Sequence, residues 1–152
     1  MLKTTFQLQN KELMKKLQSL PTDIQDKVIV KSVRAGANVI KKDAKKNAPS
    51  DTGYMKSRIK AQKARKSSNL GNFVFIVKVD SPVHHLIELG TDDRTSTKGR
   101  KLTFTGKNGA DIYVYKVAGV KPIPFLGKAY SDNRDKVIEM FQSRLRAELN
   151  KF

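Results

Sequence analysis

Apolar residues recur at Ile24, Val28, Val33, Ala37, Ile40, Ala44 and Ala48, close to the 3.6-residue period of an α-helix, with Ile29 and Val30 widening the stripe. Lys27, Lys31, Arg34, Lys41, Lys42, Lys45 and Lys46 occupy the other sides, several of them in the last turns, where cations suit the negative end of the helix dipole. Pro21 disfavours helix in the residue before it, and Thr22 with Gln25 has the spacing of a capping box. Pro49 pushes its predecessor out of the α region, and Ser50, Asp51, Thr52 and Gly53 supply turn chemistry. The pattern predicts one long basic amphipathic helix over Thr22 to about Asn47, roughly 36 to 39 Å at ~1.5 Å per residue. The rest of the chain is expected to pack on it.

Ahead of the helix, Leu2, Thr4, Phe6 and Leu8 alternate with polar residues as a short strand would, and Asn10 can cap a short helix carrying Leu13, Met14, Leu17 and Leu20. After Gly53 the period changes to two: Met55, Ser57, Ile59 and Ala61 alternate with Lys56, Arg58, Lys60 and Gln62, predicting a half-exposed strand with a basic outer face. Lys63 to Asn72 reads as a hairpin loop before Phe73–Val79, whose near-continuous hydrophobicity predicts a central strand. Asp80, Ser81 and Pro82 turn the chain into Val83–Thr91, and Asp92 to Ala110 reads as a mobile excursion with one short strand near Lys101–Thr105. Ile112–Val117 resumes the sheet, Lys121–Leu126 is extended because of Pro122 and Pro124, and Ser131 or Asp132 caps a last helix with Val137, Ile138, Phe141, Leu145 and Leu149 as its stripe. The expected class is α+β: a long N-terminal helix and a C-terminal helix packed on an antiparallel sheet of about four strands, one domain over 1–152.

Composition narrows the function. The 152 residues contain no cysteine, so disulfides and thiolate metal sites are excluded, and no apolar run approaches the ~20 residues of a membrane span. With no apolar stretch after a basic start, the protein is expected in the cytoplasm when made. The net charge is +17, and it is uneven: residues 1–80 carry 18 basic and 6 acidic side chains, residues 81–152 carry 13 and 8. Lys41 to Lys66 alone holds ten basic residues against Asp43 and Asp51. Such a segment is either a solvated cationic face or a contact surface for nucleic acid or acidic protein, with Lys41, Lys45, Lys56, Arg58, Lys60, Lys63 and Arg65 as its candidate residues. Aromatic residues that would stack on bases are scarce, at 7% with no Trp, which weighs against nucleic-acid contact.

Catalytic patterns are missing. His84 and His85 are adjacent and would face opposite sides of a strand, and their spacing to Asp80 and Glu88 matches no helix-borne zinc motif. Ser81 lacks a nucleophile-elbow context, and Gly99, Gly106 and Gly109 follow no phosphate-loop spacing. No enzyme, cofactor, metal or small-molecule substrate is expected.

Three local signatures remain: Ala48-Pro49-Ser50-Asp51-Thr52-Gly53 after the long helix, Ile87-Glu88-Leu89-Gly90-Thr91 after a strand and turn, and Pro124-Phe125-Leu126-Gly127-Lys128-Ala129 before the final helix. In this order, over roughly Leu13 to Leu149, the chain resembles a family of tailed-phage and prophage morphogenesis proteins, the small neck or tail-completion proteins that join head to tail. His84 and His85 stand where members often have tyrosine and alanine, and Gly127 where a helix former or a second proline is common. The resemblance implies a non-enzymatic, ring-forming oligomer that meets other neck or tail proteins, in the host cytoplasm during assembly and then in the virion. The alternative is a small basic nucleic-acid-binding protein using residues 41–66.

For the motif residues, Asp51 and Thr52 are expected to cap the turn and Gly53 to supply a positive φ. Glu88, between Ile87 and Leu89, needs a partner, most simply a basic residue of its own subunit or of a neighbour. Phe125, between Pro124 and Leu126, reads as a core plug or as an anchor for the next ring. Gly90, Thr91 and Pro124 complete the motif set, and Arg94, Lys98, Arg100 and Lys101 are the candidate interface residues of the excursion.

Overall fold

The computed structural model describes residues 11–49, 53–64, 73–97 and 99–152. The strand expected at Leu2–Gln9, the cap at Asn10, and Ser50, Asp51, Thr52, Arg65 and Lys98 lie outside those residues. The elements in chain order are α1 (11–18), α2 (Thr22–Asn47), α3 (Tyr54–Arg58), β1 (Ile59–Lys63), β2 (Phe75–Val79), α4 (His84–Leu89), β3 (Arg94–Thr95), β4 (Leu102–Thr105), β5 (Asp111–Val114), β6 (Lys116–Val117), α5 (Phe125–Asp132) and α6 (Arg134–Leu149).

The class is α+β, with α2 and α6 as its two long helices and antiparallel pairing throughout the described strands. Those strands form three two-stranded ladders rather than one four-stranded sheet: β1 with β2, β3 with β6, and β4 with β5. Among the described strands β2 thus pairs on one side only, with β1; its hydrophobicity reflects burial of Phe75, Val77 and Val79 on one face toward α2.

At 26 residues, α2 spans ~39 Å and carries a core at each end. One cluster joins Ala44 and Ala48 to Met55, Ile59, Val79, Phe125 and Ala129. The other joins Val28 to Leu17, Leu145 and Leu149, backed by Leu13, Ile24 and Phe141. Between them α2 and α6 approach closely. Ser32 is fully buried, its hydroxyl donating to Val28 O at 2.8 Å, and a Cβ at Gly36 would lie 3.1 Å from Val137 Cγ1.

Charge closes this seam at the far end. Glu148 is 2% exposed and receives Lys31 Nζ at 3.1 Å, Arg144 Nη2 at 2.8 Å and Lys151 Nζ at 2.9 Å. The hydrogen bond from Lys151, then that from Lys31, hold its carboxyl below the usual carboxylate range. At the other end Asn133, also buried, donates from Nδ2 to Asp43 Oδ2 and to Ala129 O, both at 2.9 Å, pinning the corner between α5 and α6 onto α2.

Several local expectations are corrected. Thr22 lies inside the helix and Pro21 is its N-cap, so no capping box forms; Gln25 instead donates from Nε2 to Leu20 O at 2.7 Å. Residues 54–58 are helical, so the basic strand begins only at Ile59. Met55 and Ile59 are four apart, which satisfies a helical turn as well as an alternating strand, and both are buried. His84 and His85 lie on a helix, with rings 5.7 Å apart edge to face. The last helix is broken in two at Asn133, and the helical turn begins at Phe125 rather than at Ser131 or Asp132.

Candidate functional site

The second and third motifs meet along one seam. Glu88 sits in the last turn of α4, a helix that stops at Gly90, where φ is 76°. Its Oε2 accepts the Leu126 N–H at 3.0 Å and its Oε1 the Gly127 N–H at 2.8 Å. Those are first-turn donors of α5, whose own N-cap residue, Pro124, gives no side-chain cap. A carboxylate 38 and 39 residues away in the chain therefore supplies the cap and complements the positive end of the helix dipole. Among the described residues, Glu88 thus takes backbone N–H partners rather than the basic residue of its own subunit expected for it.

Below this contact the two segments run side by side. Ile123 N–H donates to Ile87 O at 2.8 Å, Thr91 N–H to Val120 O at 2.9 Å, and Val120 N–H to Thr91 Oγ1 at 3.0 Å. Gly119 N–H reaches Asp93 Oδ1 at 2.8 Å; that bond, then the one from Lys116, keeps the Asp93 carboxyl below its ordinary range. Gly90 is required twice over here, because a Cβ would fall 2.7 Å from Val120 O on a backbone already at positive φ.

The first motif arrives at the same place. Phe125 is 2% exposed and packs with Ala44 and Ala48 at the end of α2 and with Met55 just past Gly53. Gly53 has φ 73° and precedes α3; Pro49 is half-buried. Beside Phe125, an open apolar groove of about 570 Å³ runs between α2, β2, α5 and the start of α6, lined by Val33, Ala37, Ile40, Phe75, Val77, Leu126, Tyr130 and Val137, with Glu88 its one charged side chain among the described residues.

The basic candidates are distributed differently from the expected stripe. Lys41 and Lys45 are half-buried neighbours on α2, and Lys56 belongs to α3 rather than to a strand. Arg58 lies 4.9 Å over the Tyr54 ring. Lys60 and its cross-strand partner Lys78 both hold Asp80, at 3.2 and 2.7 Å, which lowers the Asp80 carboxyl through the bond from Lys78 first and Lys60 second. Lys63 is exposed. In the excursion, Arg94 lies in β3 opposite Val117, Arg100 is exposed, and the Lys101 ammonium stands 5.8 Å over the Tyr115 ring.

Sequence reasoning missed the Glu88 cap, the Asn133 contact and the Glu148 cluster. Only the last left a trace, an Arg144–Glu148 pair at helical spacing. Among the described residues no group of three or more His, Cys, Asp or Glu side chains is placed to hold a metal ion, and no helix is long and apolar enough to cross a membrane.

A mixed fold of two long helices and small antiparallel ladders, in which the three phage-like motifs converge on one phenylalanine, points to the structural proteins of tailed phages. Residues 11–90, more than half of the chain, match the HK97-gp10-like family, described as "Bacteriophage HK97-gp10, putative tail-component", and the chain belongs to that family. It is accordingly a structural phage protein of the tail-component kind, a class that works in contact with other virion proteins. No curated protein and no solved structure matches it.

Proposed function

We propose that this protein is a non-enzymatic assembly component at the joint between head and tail, working as a ring of identical subunits together with other neck or tail proteins. The observation that carries this reading is the contrast between a closed seam and an open arm. The Thr91–Val120 and Asp93–Gly119 bonds fasten the base of β3 to β6, while β4 and β5 expose six of their eight residues. A well-fastened element with uncovered apolar residues is what a ring subunit offers its neighbour, because heterologous contacts need a projecting surface and a receiving one. The described motif residues Pro49, Gly53, Glu88, Gly90, Thr91, Pro124 and Phe125 then serve to hold that geometry. The basic surface meets acidic partner protein or packaged DNA.

The test is electron microscopy of lysates from the parent phage with this gene interrupted by a stop codon. Filled heads and complete tails lying apart, rejoined by added purified protein, are expected. Normally joined particles, or empty heads, would overturn the joining role. A nucleic-acid reading has its own signature: binding that falls steeply and linearly in log–log terms with salt. The retention of Lys60 and Lys78 on Asp80 argues for a weak slope.

A further inference from the structure

The β4–β5 hairpin is amphipathic across its ladder. Its cross-strand pairs place Leu102 with Val114 and Phe104 with Ile112 on one face, and Thr103 with Tyr113 and Thr105 with Asp111 on the other. The apolar face is open: Phe104 is 44% exposed and Ile112 39%. A lone two-stranded hairpin is marginal in water without a further layer over its apolar face, and the described residues leave Phe104 and Ile112 without one. The body in turn carries the open apolar groove beside Phe125.

We propose that the apolar face of the hairpin in one copy docks into the groove of a second copy, with Phe104 and Ile112 entering between β2 and α5. The proposal rests on the ring reading above and names its two surfaces. A projection without a socket and a socket without a projection occur on the same chain at different places, which is the condition for a heterologous contact that repeats from subunit to subunit. Charge favours the same match. Residues 92–121 carry seven Lys and Arg against three Asp, whereas among the described residues Glu88 is the one charged side chain lining the groove. In a chain of net charge +17, a seat lined by a carboxylate and by no described cation suits a basic arm of another copy. A phosphate backbone would meet that carboxylate unfavourably. The arm from Arg94 at the start of β3 to Val117 at the end of β6 also supplies 24 residues, within the ~20–30 that a standard interface takes from each side.

The chain has no cysteine, so introduced ones report cleanly. Phe104→Cys and Tyr130→Cys both fall at exposed positions, Tyr130 lying on the groove rim at 58% exposure. In the full-length protein treated with a short bis-maleimide, the double variant should give a ladder of covalent multimers beyond the dimer. Mixed single variants should give dimers only, and each single variant alone should stay monomeric on a denaturing gel. Dimers from Phe104→Cys alone would mean that hairpins pair with hairpins and would overturn the proposal. Native mass spectrometry of the unmodified protein separates the two levels. Multimers without a 104–130 cross-link overturn this interface and leave the ring reading standing; monomers throughout, with no cross-link, overturn both. Independently, Phe104→Lys should weaken self-association at least about tenfold with unchanged circular dichroism. Wild-type assembly by that variant would sink the docking scheme.

Discussion

The two ends of the Thr91–Val120 seam behave oppositely. On one side, around Phe125, four elements from distant parts of the chain bury their side chains on a single ring, and even a polar helix end is capped from within. On the other side, β4 and β5 satisfy their backbone hydrogen bonds by pairing with each other and leave most of their side chains in water. Both regions contain comparable residues, aromatic and branched aliphatic. The difference is therefore not hydrophobicity but whether a second layer exists. Backbone pairing fixes the shape of the arm, while only the body gains the free energy of apolar burial.

That contrast can be broken in stages. Phe125→Ala should cost ~3–5 kcal/mol, the range for emptying a large buried site, read as a shift in the denaturation midpoint at unchanged slope. A loss under ~1 kcal/mol would show that Phe125 is not the centre of the body. Gly90→Ala should cost roughly 1–3 kcal/mol, since it adds left-handed strain to a clash with Val120 O, and thermal unfolding would show it. Glu88→Ala removes the cap from α5 and should cost about 0.5–2 kcal/mol, with Glu88→Gln, which keeps an acceptor, recovering part of it.

Glu148 sharpens the comparison through pH. Its folded carboxyl titrates below its ordinary value, so the stability it gives is fully present above the ordinary carboxylate range and is lost as pH falls through the depressed folded value. Melting temperature against pH should drop on the acid side in the wild type, and Glu148→Gln should flatten that limb while lowering the neutral plateau. An unchanged acid limb would remove Glu148 from the account. The smallest effect belongs to the arm: Phe104→Ser should leave monomer stability within ~0.5 kcal/mol, because the ring it removes is already substantially wet.

The long elements were legible in sequence because periodicity accumulates over several turns. The stripe from Ile24 to Ala48 and the β-rich run to Val79 both stand where the pattern puts them. Short elements were not. Met55 and Ile59 fit either period, and the choice of strand rested on Ser57 and Ala61, which carry little weight. The six residues of α4 are too few for a period to show. Ser32 and Gly36 escaped notice because small residues at a helix crossing are selected for closeness, not for apolar surface. At the site, the sequence singled out Glu88 and Phe125 as residues but could not pair them. Glu88 holds main-chain N–H groups, and main chain leaves no mark in the identity of the residues that provide it.

The closed base of the arm has a consequence for exchange. Thr91 and Val120 are tied by two hydrogen bonds whatever lies between them, so the body is indifferent to the length of the segment it brackets. Doubling that segment would cost only ~0.6 kcal/mol in closure entropy. The stretch beyond the β3–β6 ladder, residues 97–114, is thereby a natural cassette, open to grafting from a relative or to replacement by a tag, while the frame that receives it, with its Asp93–Gly119 bond, stays intact.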